Sequence, residues 1–150
     1  MWLYNGKEIN NLEDFGENPP FGFIYIVTHI PTGKKYIGKK QLYHSSKTKL
    51  GKKELLAAPK TQGRPQKFKQ VIKESDWQKY YGSNETIKQL IKEGKQEEFT
   101  REIVQLVYNK KMLSYYETKL QFINEVLEHP DEWFNDNIQG AWFSSDFIEK

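Results

Sequence analysis

The first third of the chain carries two apolar segments separated by a short turn. Residues 23–27 are all β-branched or aromatic, which predicts a strand buried on both faces. The residues that follow at 30–33 predict a three-residue hairpin loop, because Pro31 suits the second position of a type I turn and Gly33 the left-handed position after it. Residues 34–38 are therefore expected to return antiparallel to the first strand.

Two other segments predict strands. Residues 2–9 place the pair Asn5-Gly6 between apolar residues, which is typical of a type I′ turn in a small accessory hairpin. Residues 102–108 are rich in β-branched side chains and predict a third core strand.

Two amphipathic segments predict helices. Ser83 or Asn84 is suited to cap a first helix, which Gly94 would end. The longest amphipathic segment spans residues 109–128, and His129-Pro130 would end it. Its apolar stripe consists of Leu113, Tyr116, Leu120, Ile123 and Leu127.

Positive charge is concentrated in one stretch of the chain. The net charge of the 150 residues is only +3, but residues 34–73 hold 13 Lys and Arg residues against one acidic residue, Glu54. That stretch carries a formal charge of +12 and the remainder of the chain −9. The asymmetry favours contact with an anionic polymer such as a nucleic acid, although a solvated lysine-rich loop would have the same composition.

The composition excludes several classes of function. Cysteine is absent, which excludes disulfides, thiolate zinc sites and cysteine nucleophiles. No apolar run approaches the roughly 18 residues of a membrane span. Residues 1–20 lack the basic and apolar regions of a signal peptide. We therefore expect one domain over residues 1–150, located in the cytoplasm and without a membrane partner.

Residues 39–76 form a basic insertion. Prolines and glycines in its second half argue against one continuous helix, and a connection of this length is usually functional or disordered. We expect a mobile insertion that becomes ordered on DNA. Phe68, Val71 and Ile72 would start a helical turn that ends near Asp76.

The two strands around the turn resemble the core of the GIY-YIG nuclease family, in which two triplets occupy adjacent strands. The first triplet is Phe23-Ile24-Tyr25, with Phe23 where the family has glycine, and the second is intact as Tyr36-Ile37-Gly38. The tyrosines are 11 positions apart, the separation expected for that hairpin. Residues 77–84 resemble a further box in a phage-type branch of the family, where it follows a lysine-rich insertion.

The resemblance covers roughly residues 22–137 and implies a small α+β domain, with a three-stranded antiparallel sheet flanked by helices. The N-terminal hairpin and the basic insertion would be added to a core of about residues 22–138, and residues 139–150 would form a packed aromatic tail. The family resemblance also implies an endonuclease that hydrolyses DNA phosphodiester bonds with one Mg²⁺ or Mn²⁺ ion. The cytoplasm would be that of a bacterial host cell if a phage or mobile element encodes the chain.

Glu117 is the metal ligand that the resemblance implies. The family's single metal-binding glutamate lies on the helix after the third strand, four or five residues before an aromatic residue, and Phe122 follows Glu117 here. A competing interpretation makes Ser114 and Glu117 a capping box that starts the helix at Ser114. Asn109 is a good cap five residues earlier, and the metal interpretation is the one we favour.

The resemblance also implies that a tyrosine, first Tyr25 and with it Tyr36, accepts the proton of the attacking water. Free tyrosine titrates near 10, so lysine and metal charge would have to lower its pKa for this role. The family's arginine on the helix after the second triplet is missing. The candidates to replace it are Lys39, Lys40 and Lys88.

The family has an asparagine after its long helix, in an aromatic-then-Asn-Ile context. Asn137 matches by the Ile138 that follows it, while Asn135 matches by the aromatic residue that precedes it. We select Asn137 as the candidate site residue.

The register of the hairpin poses a geometric problem. Tyr25 is expected to lie opposite Lys39, and alternation would then put Tyr36 on the other face of the sheet. The resemblance requires both tyrosines at one site, so we expect a β-bulge near Gly38 or Gly33.

The residues expected to contact DNA belong to the basic stretch, with one lysine from the first helix. They are Lys34, Lys35, His44, Lys47, Lys49, Lys52, Lys53, Arg64, Lys67 and Lys88. The alternative function is a catalytically silent nucleic-acid-binding module, which the missing arginine favours. A basic scaffold domain without chemistry is a third and weaker interpretation.

Replacing Lys47, Lys49, Lys52 and Lys53 together by glutamine should weaken DNA binding and its dependence on salt. Every lysine that ceases to neutralise a phosphate should reduce the slope of log affinity against log salt by about 0.9 for duplex DNA, because fewer counterions are released. Anisotropy titrations of a labelled duplex at several salt concentrations measure this slope. An unchanged slope would mean that these lysines are merely solvated.

Overall fold

The computed structural model describes residues 1–49, 51 and 68–148, with the backbone alone for residues 47–49 and 68–70. Two compact units divide the chain: Met1–Leu42 together with Asp76–Lys150, and Tyr43–Ser75. Within the described part, no helix is both long and apolar enough to cross a membrane.

The first unit is built on a five-stranded sheet. Its strands are β1 (Trp2–Tyr4), β2 (Lys7–Ile9), β3 (Gly22–His29), β4 (Lys35–Gln41) and β7 (Phe99–Val107), in the spatial order β2-β1-β7-β3-β4. The apolar strand β3 lies between β7 and β4 and is antiparallel to both. The N-terminal hairpin extends the sheet, because β1 pairs in parallel with β7. The fold is therefore α+β as predicted, with five strands in the sheet where the resemblance implied three.

The register of β3 and β4 differs from the prediction by one residue. Tyr25 lies opposite Gly38, not Lys39, and the pairing of the two strands has no bulge. Because a shift of one residue moves every side chain to the other face, Tyr25 and Tyr36 share a face of the sheet without any irregularity in this hairpin. The bulge predicted near Gly38 or Gly33 was therefore wrong, and the shift in register lies between β3 and β7 at Ile24/Tyr25.

The loop between β3 and β4 is one residue longer than predicted. The amide of His29 donates to the carbonyl of Lys34 (2.8 Å), which leaves four residues, 30–33, in the loop. The amide of Gly33 donates to the carbonyl of His29 (2.7 Å), and Gly33 has a φ of 71°, as the sequence predicted.

The second unit contains a hairpin of β5 (Tyr43–Lys49) and β6 (Phe68–Glu74), which pair antiparallel. The helical turn predicted at Phe68, Val71 and Ile72 was wrong, because all three residues belong to β6. Their aromatic and β-branched side chains suit a strand once a pairing partner is present. The candidate DNA contacts at Lys52, Lys53, Arg64 and Lys67 lie outside the described residues.

Helix α1 (Glu85–Lys92) begins and ends where the sequence predicted. The side-chain oxygen of Asn84 accepts a hydrogen bond from the amide of Ile87 (3.1 Å), which caps the helix. Gly94 follows its end with a φ of 79°. Ile87 is the fully buried residue of this short helix.

Helix α2 (Lys110–Ile123) begins at the earlier of the two predicted positions. The side chain of Asn109 accepts from the amide of Met112 (2.9 Å) and caps it. The capping box that would have started the helix at Ser114 is therefore wrong, because Ser114 and Glu117 both lie inside the helix. Glu117 is free of a capping role.

The end of α2 also differs from the prediction. The helix stops at Ile123, well before His129-Pro130, because Glu125 adopts the left-handed conformation with a φ of 52°. The amide of Val126 donates to the carbonyl of Gln121 (3.3 Å), in the manner of a Schellman cap. Ile123 is consequently 63% exposed and not part of the core.

The core on the α2 side of the sheet joins apolar residues of β3, β4 and β7 to the helix and the segment after it. This cluster consists of Ile24, Ile37, Val107, Leu113, Val126, Leu127 and Ile138. On the other face, buried Trp2, Phe23, Tyr25 and Trp77 pack their rings together. Strand β4 thus lies between two packed layers, at the edge of the sheet.

The C-terminal segment contains a small hairpin of β8 (Asn137–Ile138) and β9 (Trp142–Phe143). The expectation of a packed tail was wrong for its aromatic rings. Trp142, Phe143 and Phe147 are 43–51% exposed, although Trp142 contacts the ring of Phe122 at 5.5 Å between centroids.

Candidate active site

The outer edge of β4 positions the residues of the candidate site. Backbone groups on this edge form hydrogen bonds with residues from later in the chain. At Lys35, the amide donates to the carbonyl of Glu132 (3.0 Å) and the carbonyl accepts from the amide of Phe134 (2.7 Å). An unpaired edge strand would be a template for association with other chains. Here the chain covers its own edge.

The next outward position, Ile37, is held by one buried side chain. The Asn135 side-chain oxygen accepts from the amide of Ile37 (3.0 Å), and its Nδ2 donates to the carbonyl of Ile37 (2.9 Å). The side chain of Gln121 on α2 donates to the same carbonyl (3.3 Å). The two hydrogen bonds of Asn135 tie the segment after α2 to Ile37, the middle residue of the second triplet.

The third outward position, Lys39, binds the candidate metal ligand. The backbone amide of Lys39 donates to the carboxylate of Glu117, which is half-buried on α2. Burial raises the pKa of Glu117, while the positive charge of Lys39 and this hydrogen bond act in the opposite direction. The Nζ of Lys39 donates to the hydroxyl of Ser114 (2.8 Å), one turn earlier on the helix.

The two tyrosines lie side by side but in different environments. Their ring centroids are 6.3 Å apart; Tyr25 has no exposed surface, while Tyr36 is half-buried. The hydroxyl of Tyr36 forms a hydrogen bond with that of Ser83 (2.8 Å). Of the two, Tyr36 is therefore the one that solvent reaches.

Two glycines make room for these rings. A side chain at Gly38 would put its Cβ 2.5 Å from Cζ of Tyr25, and a Cβ at Gly82 would lie 3.1 Å from Cε1 of Tyr36. Gly82 also has a φ of 112°, a backbone conformation that favours glycine. The glycine of the second triplet is thus required by the tyrosine of the first.

Burial raises the pKa of both tyrosines. The pKa of Tyr25 is raised well above the ordinary value by its burial, with further contributions from Tyr80, Tyr36 and Glu117. Burial raises the pKa of Tyr36, the hydrogen bond with Ser83 lowers it, and Tyr80, Glu117 and Asp136 raise it further. Neither tyrosine is a base at neutral pH unless a cation offsets these contributions.

These groups open onto one cleft of about 690 Å³ along the edge of β4. The residues that line it include Tyr36, Lys39, Ser83, Asn84, Ser114, Glu117, Thr118, Gln121, Asn135, Asp136, Asn137 and Gln139. The lining is mostly polar and brings a tyrosine, a lysine and a half-buried carboxylate together from β4 and α2.

The other candidate cations lie outside this cleft. The Nζ of Lys40 binds Asp76 (2.6 Å) and lies 4.1 Å from the centroid of the Tyr80 ring, on the opposite face of β4 from Lys39. Lys88 pairs weakly with Glu85 (3.7 Å) on α1. Of the three candidates for the missing arginine, Lys39 alone lines the cleft.

The remaining candidate DNA contacts are distributed over both units. Lys34 lies 5.0 Å from the centroid of the Phe134 ring, and Lys35 begins β4. His44 is exposed on β5, and the side chains of Lys47 and Lys49 lie outside the described residues although their backbone continues that strand.

Sequence reasoning missed several residues of the site. Ser83 and Ser114 were predicted as candidate helix caps, and Thr118 has no sequence signal, because only the tertiary contacts bring these three hydroxyl groups to the cleft. Arg101 is buried on β7, where its Nη1 donates to the carbonyls of Gln78 and Tyr80 (both 2.9 Å). It anchors the loop that carries Gly82 and Ser83.

The cleft fits a magnesium or manganese ion. Mg²⁺ is usually bound through one or two carboxylates, while waters and substrate phosphates complete its octahedron. Glu117 supplies a carboxylate whose burial favours a compensating cation, and hydroxyl and amide oxygens surround it. Within the described residues no group of three or more His, Cys, Asp and Glu side chains could hold a metal ion, and Asp136 is a second carboxylate in the lining of the cleft.

Comparison with known families agrees with the two triplets and the fold. The sequence profile of one family, described as "Putative endonuclease segE, GIY-YIG domain", matches residues 2–138. The chain therefore belongs to the GIY-YIG nuclease family, as its resemblance implied. The matched region includes the N-terminal hairpin and ends before β9. Searches of the curated proteins and of the solved structures gave no match.

Asn135→Ala should lower the free energy of unfolding by about 1–3 kcal/mol, because it leaves the buried amide of Ile37 without its partner. Asn137→Ala is the matched control, since Asn137 is exposed and bonds only to its own turn among the described residues. Its cost should stay below about 1 kcal/mol. Urea unfolding measures both values, and equal costs would contradict the role given to Asn135.

Proposed function

We propose that the protein is a divalent-metal-dependent endonuclease that hydrolyses phosphodiester bonds of DNA. The observation that carries the proposal is the convergence of Tyr36, Lys39 and Glu117 on one polar cleft in a chain of the GIY-YIG family. The basic stretch of residues 34–73 supports DNA as the substrate, because its charge of +12 suits a polyanion.

Glu117 is the residue that would hold Mg²⁺ or Mn²⁺. Such an ion supplies neutralisation of the charge on the scissile phosphate and on the leaving oxygen. The hydrogen bond from the amide of Lys39 orients the carboxylate toward the cleft, so that α2 and β4 position the ligand jointly. The positive charge on the Nζ of Lys39 remains available to a second oxygen of the scissile phosphate.

We assign acceptance of the proton from the attacking water to Tyr36. Tyr25, which the family resemblance suggested first, is fully buried beneath it, and its ring supports that of Tyr36. Burial and the charge of Glu117 both raise the pKa of Tyr36. A cation at Glu117 would cancel the effect of the Glu117 charge on the pKa of Tyr36, and the Nζ of Lys39 adds further positive charge in the cleft. The general base and the metal ligand are therefore coupled.

Lys39 would take the place of the family's arginine as the cation that contacts phosphate. It lines the cleft and contacts Ser114 on the same wall as Glu117. A lysine can neutralise a phosphate oxygen as a point charge, although it lacks the planar fork of a guanidinium. A catalytically silent nucleic-acid-binding module is the second candidate, because no arginine of the described residues reaches the cleft.

Glu117→Gln should abolish Mg²⁺-dependent cleavage of supercoiled plasmid while DNA binding remains. A neutral amide oxygen binds Mg²⁺ poorly. Burial raises the pKa of Glu117, so its charge is less favourable in the folded than in the unfolded chain, and the variant without metal should melt no lower than wild type at neutral pH.

The same variant should lose stabilisation by metal. Mg²⁺ at about 100 times its dissociation constant should stabilise the wild-type protein by about 2.7 kcal/mol and the variant by almost nothing. Thermal melts with and without Mg²⁺ measure this difference. Robust Mg²⁺-dependent cleavage by Glu117→Gln would exclude the proposed metal ligand, and a wild-type protein that binds DNA without cutting it would favour the silent module.

Tyr36→Phe should reduce the cleavage rate by about 10²–10⁴-fold, because it removes a general base and keeps the ring that packs on Tyr25. The wild-type rate should rise with pH as the hydroxyl of Tyr36 deprotonates, and the variant should lose that rise. Tyr25→Phe is the matched control, with the same loss of one hydroxyl at a buried ring and a smaller expected effect. Wild-type rates in both variants would mean that the hydroxyls are structural.

A further inference from the structure

A second concave surface lies on the α1 side of the loop that carries Gly82. It has a volume of about 440 Å³ and is lined by Lys79, Tyr80, Tyr81, Gly82, Lys88 and Lys92, among others. We call these six residues the basic groove. The sequence drew attention to Lys88 alone, because the lysines of the insertion dominate the charge pattern.

Three exposed lysines form the rim of the basic groove. Lys88 and Lys92 are four residues apart on α1 and therefore share one face of the helix, while Lys79 comes from the short turn before Tyr80. Lys88 meets Glu85 at 3.7 Å, but the Glu85 side chain is 91% exposed, so this pair neutralises little of the lysine charge.

The two tyrosine rings of the basic groove are backed by cations. The Nζ of Lys40 lies 4.1 Å from the centroid of the Tyr80 ring, and the guanidinium of Arg101 lies 4.1 Å from that of Tyr81. Asp76 also lines the groove, and its carboxylate, which is 72% exposed, pairs with Lys40. Three lysines and one carboxylate therefore line the groove, so its charge remains net positive, and a concave low-dielectric surface concentrates the resulting field.

The basic groove adjoins the catalytic cleft through two residues. Gly82 lines the groove and contacts the ring of Tyr36, and the next residue, Ser83, lines the cleft and bonds to the hydroxyl of Tyr36. Gly82 is buried against the ring of Tyr36, and Ser83, which follows it, is exposed, so the two surfaces lie next to each other at this point of the loop. An extended polyanion that passes Ser83 would reach both surfaces.

We propose that the basic groove binds the sugar-phosphate backbone of the DNA substrate on one side of the scissile phosphate, with Lys79, Lys88 and Lys92 as its phosphate contacts. The inference rests on the proposed function, which supplies DNA as the occupant of the cleft. Charge complementarity selects a polyanion. Continuity with Tyr36 and Ser83 selects the chain that is to be cut over an unrelated acidic partner.

The test compares Lys79→Gln/Lys92→Gln with Lys110→Gln/Lys111→Gln in the full chain. The control lysines are exposed at the start of α2, line neither the cleft nor the groove, and give the same change of net charge. Anisotropy of a labelled DNA duplex is titrated in EDTA at several salt concentrations, and cleavage with Mg²⁺ is measured separately. Lys79→Arg/Lys92→Arg tests whether charge alone restores binding.

The groove variant should reduce the slope of log affinity against log salt by about 1.8, or about 0.9 for each phosphate that is no longer neutralised, and the control should leave it unchanged. KM for cleavage should rise in the groove variant while kcat stays close to wild type, and the arginine variant should restore both slope and KM. Equal slopes for wild type and the groove variant, or equal reductions in the groove and control variants, would overturn the proposal.

Failure of the proposed function gives a different result. A wild-type protein that does not cleave DNA with Mg²⁺, but whose salt slope falls in the groove variant alone, would retain the DNA-binding groove and lose the endonuclease. Cleavage by wild type with an unchanged slope in the groove variant would retain the endonuclease and lose the groove.

Discussion

The outer edge of β4 is the constraint on which the site depends. Backbone groups at residues 35, 37 and 39 face away from β3. The chain pairs the amides and carbonyls of residues 35 and 37 with backbone groups of residues 132 and 134 and with the side chain of Asn135, and the amide of residue 39 with the carboxylate of Glu117. Buried backbone groups left unpaired would cost free energy comparable to that of lost hydrogen bonds. The same bonds that close the sheet therefore hold the candidate metal ligand beside the second triplet.

The two tyrosines differ in burial and therefore in the contacts they make. Tyr25 fills the space above Gly38 and forms part of the aromatic layer, whereas Tyr36 points its hydroxyl to Ser83 in the cleft. The loop that supplies Ser83 is held to β7 by the two hydrogen bonds from Arg101. Arg101 thus positions the loop and does not line the cleft, so in the proposed site the phosphate contact is assigned to Lys39.

The cleft and the basic groove, which lie next to each other, differ in the chemistry of their linings. The cleft is lined by polar and acidic groups that suit a metal and a phosphate, and the groove beyond Gly82 is lined by lysines that suit further phosphates of the same chain. In the proposed mechanism this arrangement separates chemistry from affinity, because loss of a groove lysine would weaken DNA binding and loss of Glu117 would remove catalysis. The exposed lysines of α1 would then make the affinity for DNA dependent on salt.

The sequence by itself determined the elements with strong local signals. The apolar run of β3 and the second triplet follow from propensity or a motif, local signals limited the helix caps to Ser83 or Asn84 and to Asn109 or Ser114, and the family is confirmed. The tertiary structure decided what depends on pairing: the register that puts Tyr25 opposite Gly38, the strand at residues 68–74, and the assignment of Asn135 to the edge of β4. Local sequence leaves these open, because a register, a strand partner and a burial site are properties of two segments together.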